Sequence, residues 1–512
     1  MIRKGYSLLV LFMVLLFIAT PLLNGKNREN KPGPVSADLK DNIVRKSHSI
    51  LLNGIKISYD SFAGTMVLKG ENKRPDASFF FISYMKRGVS DRSKRPVIFS
   101  FNGGPGSSSV WLHLGLLGPK RVLMKDDGSM PPPPYKLVTN KYTVLDSSDL
   151  VFIDPVSTGF SRTGSPEKEK EFHGVSEDIA SVGDFIRLYL SRYNRWTSPK
   201  YLIGESYGTT RAAGLSGYLQ GRHGIYLNGI ILVSSVLDHK TLRFSFGNDL
   251  PPLLFLPTYA ATAWYHGKLS GKYGDDLGKV LKDAEEFALG KYAAVLLRGN
   301  KIDPEEFNNI AERLSSLTSL SLQFIKENNL RIPAHKFFLE LLNETGEKTG
   351  RLDSRFKRFN GNLGFSEDEG FFSDPSYSAI QGPYTETLNN YVSKELGFRS
   401  DLIYEIITHR IRGWKTGKYE GRYVNVSDTL AKAMTTNPYL KIFVASGYYD
   451  LATPYFATKY TFDHLFLPEN LKKNITFKYY NAGHMMYINL ISLKKLKKDL
   501  DAFIKSSLPG SS

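Results

Sequence analysis

Cysteine is absent from all 512 residues. That excludes disulfide scaffolds, thiolate zinc sites, iron–sulfur clusters, cysteine nucleophiles and S-acylated anchors together. No pair of histidines stands at ligand spacing either, so neither a metal nor an organic cofactor is expected. There is no Gly-X-Y period and no internal repeat. Acidic residues are the minority, 50 Asp+Glu against 67 Lys+Arg, which leaves a net charge of +17. Finger, recognition-motif and phosphate-loop signatures are missing, so the charge names no nucleic-acid partner. The densest basic cluster, Lys494, Lys495, Lys497 and Lys498, is interleaved with Leu493, Leu496, Leu500 and Phe503 at the spacing of one helix face. It reads as the solvated side of a packed terminal helix. What remains is ordinary for a folded chain: 41% hydrophobic and 23% charged residues, in a length suited to one large α/β core with insertions or to several domains.

Arg3 and Lys4 precede an uncharged stretch, residues 5–24, rich in Leu, Val, Ile and Phe. A short positive region followed by an apolar one is the pattern of a secretory signal peptide. No clean small-residue cleavage site follows Ala19, so an uncleaved membrane anchor is the alternative. Either way the expectation is an extracytoplasmic protein, periplasmic, secreted or anchored, whose contact with a membrane is confined to residues 1–24. A cysteine-free exported chain suits a bacterium better than a eukaryotic secretory route. Nothing in the sequence sets an oligomeric state.

A polar segment, 25–47, leads into short runs of β-branched and aromatic residues at 55–59, 64–68, 79–84 and 97–101. Further apolar runs follow at 150–153, 201–203, 230–233, 442–445 and 475–480, with helical patterns such as 177–193 and 209–219 between them. This alternation predicts a mostly parallel sheet with helices on both faces. Between 240 and 435 the strand signals vanish and helical segments take over. The expected organisation is therefore a core in two parts, 48–239 and 436–508, interrupted by a helical insertion at 240–435.

Gly204-Glu205-Ser206-Tyr207-Gly208 matches G-x-S-x-G and lies between a strand signal and a helix signal. That setting suits a nucleophile elbow, where small flanking residues let the chain turn sharply and expose the serine hydroxyl. A base and an orienting acid are then needed, each after a late strand. Asp450 follows the run 442–445, and His484 follows 475–480 in a turn of small residues. Histidine can take and return a proton near neutral pH, and an aspartate would hold its tautomer. The glycine-rich turn Asn102-Gly103-Gly104-Pro105-Gly106-Ser107-Ser108-Ser109 follows the run 97–101. It stands where an α/β-hydrolase draws one oxyanion-hole N–H; the other would come from Tyr207.

These blocks, together with Asp149–Pro155 and Gly159-Phe160-Ser161, resemble the serine carboxypeptidase family of α/β-hydrolases over roughly residues 50–240 and 435–505. The resemblance implies a Ser206, Asp450 and His484 triad, oxyanion donors at Gly104 and Tyr207, and a helical cap over the site. It further implies that Asn102 and Glu205 hold the C-terminal carboxylate of a peptide substrate, the partner expected for such a chain. Leu116 replaces the family's second carboxylate-binding glutamate, Ser100 an aromatic residue and Ser107 a cysteine. His113, on the same helix face as Leu116, is an alternative carboxylate ligand, and Arg211 reads as a surface or structural residue. Esterase or acyltransferase chemistry on the same triad is the alternative activity, and a silent binding protein is the non-enzymatic one.

Overall fold

The computed structural model describes residues 39–512 apart from 71–74, 361–372, 412, 509 and 511–512. The expected leader at 1–24 therefore lies outside the described residues. Ten strands form one sheet: β1 (Asn42–Leu52), β2 (Ile55–Lys69), β3 (Pro75–Lys86), β4 (Val97–Phe101), β5 (Asp149–Ile153), β6 (Arg162–Thr163), β7 (Lys200–Ser206), β8 (Gly229–Ser235), β9 (Lys441–Gly447) and β10 (Ile475–Tyr480). Their order is β1-β2-β3-β5-β4-β7-β8-β9-β10, with β6 paired to β3 outside this path. From β5 onward every neighbour on the path is parallel, and β1, β2, β3 and β5 pair antiparallel.

Apart from the edge strand β10, the parallel strands are mainly apolar runs because both faces are covered. In β8, Ile230 and Leu232 point into one apolar core and Ile231 and Val233 into the other. The first core also takes Val182, Phe185 and Ile186 of helix α1 (Val175–Arg192) and Leu215 and Leu219 of α2 (Tyr207–His223). α2 ends at Gly224, whose left-handed backbone (φ 61°) caps the last turn. Opposite, α5 (Leu490–Ser506) buries Leu493, Leu496, Leu500 and Phe503. Of its lysines, Lys497 reaches Asp146 at 3.1 Å.

Between β8 and β9 the chain is mainly helical. Helix α3 (Leu250–Tyr265) is apolar on nearly every side and correspondingly buried in a third core, which Tyr449, Leu451 and Tyr455 join from the sheet's late loops. Helix α4 (Pro375–Asn390) packs toward the sheet through Tyr377, Ile380 and Tyr384.

Three local features differ from the sequence expectation. Residues 42–47, read as part of a polar segment, belong to edge strand β1, which turns into β2 through Asn53 (φ 48°) and Gly54 (φ 81°), the two left-handed residues of a tight hairpin. The runs at 55–59 and 64–68 are one continuous strand, β2. A small antiparallel ladder, Glu347–Thr349 with Lys357–Phe359, interrupts the helical region. Three-residue strands have no room for the alternation that would betray them.

Candidate active site

Strand β7 runs into α2 through Ser206, which holds φ 60° and ψ −130°, a backbone conformation rarely adopted by a side-chain-bearing residue. The glycines around it are required by contact. A Cβ at Gly204 would stand 2.1 Å from the Gly208 carbonyl oxygen, and one at Gly208 would stand 2.9 Å from the Phe101 carbonyl oxygen. The sharp strand-to-helix turn thus exists only where these side chains are missing.

His484 and Asp450 stand on the loops after β10 and β9. Asp450 Oδ2 accepts from His484 Nδ1 at 2.7 Å and from the Thr453 hydroxyl at 2.7 Å. Its Oδ1 accepts the backbone N–H groups of Ala452 (2.8 Å) and Thr453 (2.9 Å). With Nδ1 donating to the carboxylate, Nε2 is the ring nitrogen left to accept a proton. Burial by itself would depress the imidazole's basicity, but the charge and hydrogen bond of Asp450, helped by Glu205, raise it above its ordinary value. The two loops pack backbone to backbone, with Tyr449 N–H donating to the Ala482 carbonyl (3.1 Å). A Cβ at Gly447 would lie 2.2 Å from the Gly483 carbonyl oxygen.

The glycine-rich turn lies against the elbow. A Cβ at Gly103 would stand 2.5 Å from the Tyr207 nitrogen, so only glycine permits this approach. Tyr207 is the first residue of α2, and its N–H has no acceptor in the helix ladder. Gly104 has φ 103° and lines the same cavity as Ser206. The turn is held from both sides. Asp154 accepts the Ser109 N–H and hydroxyl, each at 2.8 Å, and burial lifts its carboxyl to about 6. Ser108 N–H donates to Ile406 and Thr408 N–H to Gly106, both at 2.9 Å.

Asn102 donates to Glu205 Oε1 at 3.0 Å, and the Tyr487 hydroxyl donates to Oε2 at 2.5 Å. Leu112 N–H fixes the Asn102 amide by donating to its Oδ1 at 3.1 Å. Burial pushes the Glu205 carboxyl up to about 7, against the lowering influence of His484 and of these hydrogen bonds. Asn102, Gly104, Glu205, Ser206 and His484 all face one cavity of about 110 Å³. A larger cleft, about 720 Å³ between Phe244, Asp249, Leu297 and Arg331, lies within the helical region and contains none of the residues singled out by sequence.

Two sequence candidates fall elsewhere. His113 is buried beside Phe152, with the Tyr84 hydroxyl 2.8 Å from its Nε2. Burial drives its basicity down to about 3, so it is a neutral packing residue. Of the two readings of Arg211, surface or structural, the structural one holds: it is fully buried, donates to both carboxylate oxygens of Asp178 (2.8 and 3.1 Å), and anchors the Asn102 carbonyl at 2.6 Å.

Sequence reasoning missed the segment 351–355, which binds both late loops. His484 N–H donates to the Leu352 carbonyl (2.6 Å) and Ser354 N–H to the Tyr449 carbonyl (2.9 Å). Gly483 N–H donates to the buried Asp353 carboxylate (2.9 Å), which Arg355 neutralises at 2.6 Å. No periodicity marks such a segment, because tertiary contacts alone give it its place. Tyr487 and Thr453 were missed too; their closeness in sequence to His484 and Asp450 was the available signal.

Comparison with known proteins bears on this architecture. Residues 58–491 match the family model described as serine carboxypeptidase. Carboxypeptidase Y of Saccharomyces cerevisiae is 27% identical over 260 residues, which are 48% of this chain and 42% of that protein. Serine carboxypeptidase-like 40 of Arabidopsis thaliana is 27% identical over 190 residues, 36% of this chain and 35% of that one. The matches thus span less than half the length of these curated relatives. The crystal structure of Kex1(delta)p, a prohormone-processing carboxypeptidase from Saccharomyces cerevisiae, superposes with a TM-score of 0.56 at 19% identity, covering 87% of this chain and 91% of that one. That likeness gives the fold, an α/β-hydrolase sheet, and the family match extends from β2 to the start of α5: the chain belongs to the serine carboxypeptidase family.

Proposed function

We propose that this chain is an exported serine carboxypeptidase that releases residues from peptide C-termini through an acyl-enzyme on Ser206. One observation carries the reading. Ser206 and His484 face the same small cavity as Asn102 and Glu205, a buried amide–carboxyl pair of the kind that can hold a peptide's terminal carboxylate. At about 110 Å³ the cavity is well below the ~300–1,000 Å³ of a site for a whole small ligand, which suits the end of a chain.

In this reading Ser206 Oγ adds to the scissile carbonyl while His484 Nε2 takes its proton, and Asp450 stabilises the imidazolium. The N–H groups of Gly104 and Tyr207 receive the developing oxyanion. Collapse breaks the C–N bond, and His484 returns the proton to the leaving amine. Water then repeats the sequence on the ester, releasing the acid and restoring Ser206. Export rests on the pattern of residues 1–24; among the described residues no helix is long and apolar enough to cross a membrane.

A second reading, esterase or acyltransferase on the same residues, is favoured by one feature. Both Glu205 oxygens are already engaged, by Asn102 and Tyr487, as they would be if Glu205 only braced the elbow. Incubation with a blocked dipeptide, its amide and a simple ester separates the readings. Release from the free acid in preference to the amide supports a carboxypeptidase, turnover of the ester alone supports the second reading, and no turnover contradicts both.

A further inference from the structure

The segment that locks the two late loops also carries a cation to the cavity. Arg351 lines the cavity beside Glu205, Ser206 and His484 and is exposed. Its carbonyl accepts the Leu451 N–H at 3.1 Å, and its own N–H donates to Asp374 at 3.1 Å. The backbone at 351 is therefore tied directly to the loop that bears Asp450. Its guanidinium is different. Arg95, Arg195, Arg211 and Arg355 each have a carboxylate partner, but no ion pair or side-chain hydrogen bond joins Arg351 to any other described residue; only its backbone N–H donates. Asp374, the nearby carboxylate, takes the Arg351 N–H, the Ser376 N–H (2.9 Å) and the Ser376 hydroxyl (2.6 Å) all on Oδ1, and its buried Oδ2 meets no hydrogen-bond donor among the described residues, the Arg351 guanidinium included. The positive charge nevertheless reaches the site, since it works against the basicity of His484.

A guanidinium is a planar fork matched to a carboxylate, and it stays charged at every working pH. Tethering one beside a reaction cavity, with no partner among the described residues, leaves its pairing capacity to whatever enters. We propose that Arg351 is a specificity-determining residue that pairs with a carboxylate on the departing end of the substrate. The carboxylate is either the terminal α-carboxylate or an acidic side chain of the last residue. This rests on the carboxypeptidase reading above, and it assigns Arg351 to substrate selection, separate from the bond-breaking steps.

The test compares wild type with Arg351→Ala, Arg351→Lys and Arg351→Glu on three N-blocked dipeptides. One ends in a neutral residue with a free α-carboxylate, one is its amide, and one is an amide whose last residue is glutamate. If the α-carboxylate is the partner, Arg351→Ala lowers the kcat/KM preference for acid over amide about tenfold, through KM. Arg351→Glu lowers it further, and Arg351→Lys restores part of it. If the side chain is the partner, the same pattern appears in the preference for the glutamate amide over the neutral amide. Unchanged preferences in all three variants would overturn the proposal. So would a loss of kcat that is equal on acid and amides, the mark of a merely structural residue. Wild type that turns over only esters would instead overturn the underlying carboxypeptidase reading, a result distinct from either.

Discussion

Replacing Glu205 by glutamine asks whether the buried carboxyl beside Ser206 sets the pH range of substrate binding. Burial holds that carboxyl near 7 where an ordinary glutamate stands at 4.5. If only the protonated form can accept a carboxylate neighbour, KM on a free-acid peptide scales as 1 + 10^(pH − 7). The factor is close to 1 at pH 5 and about 11 at pH 8, so KM should rise roughly tenfold across that interval. Glutamine keeps the shape and a donor without titrating, and its KM should stay flat. Protonation of His484 affects every substrate alike, so the quantity to follow is KM on the acid divided by KM on the amide at each pH. Stability gives an independent readout. A carboxyl whose pKa is raised on folding binds its proton more tightly in the native state. Its contribution is complete below the unfolded value of 4.5 and is lost as pH rises through about 7. The loss amounts to roughly 3 kcal/mol. Urea unfolding should therefore show wild type losing ground to Glu205→Gln between pH 5 and 8. Equal acid-to-amide profiles in both proteins, with turnover cut alike on acids, amides and esters, would refute the reasoning and leave Glu205 a brace for the elbow.

Three further outcomes follow from the geometry. Asp450→Asn should retain the fold by circular dichroism and lower kcat by about 10³–10⁴-fold, because the imidazole loses its tautomer and its counter-charge together. Gly103→Ala places a Cβ 2.5 Å from the Tyr207 nitrogen; kcat on an ester substrate should fall about 10²–10³-fold, and an unchanged kcat would remove that N–H from the oxyanion hole. Activity should survive exhaustive chelation, and a loss on chelation that zinc restores would contradict the metal-free mechanism.

The elbow was legible in the sequence because its causes are local: a short apolar run, two glycines and a helical pattern adjoin Ser206. Asp450 and His484 could be picked out on similarly local grounds, each following a late apolar run, His484 in a turn of small residues. The carriers of precision were hidden. Asp353 and Leu352 reach the Gly483 and His484 backbone from about 130 residues away in the chain, and no pattern around 351–355 announces that contact. For Arg211, helical spacing indicated a direction away from the catalytic face. It could not reveal that Asp178 and the Asn102 carbonyl wait there, so a buried anchor looked compatible with the surface. Strand β1 escaped because an edge strand carries polar residues on exposed positions; its Asn53-Gly54 turn was the available signal of a hairpin.

The central claim is that Ser206 is the nucleophile. Intact-mass measurement after reaction with a serine-directed phosphonate tests it most directly. Wild type should gain one covalent adduct, mapped to the peptide containing Ser206, with loss of turnover in step with labelling, while Ser206→Ala should gain none. An adduct of undiminished yield on Ser206→Ala would contradict the account, because the strained elbow, the His484–Asp450 pair and the glycine-rich turn would then be built around the wrong residue.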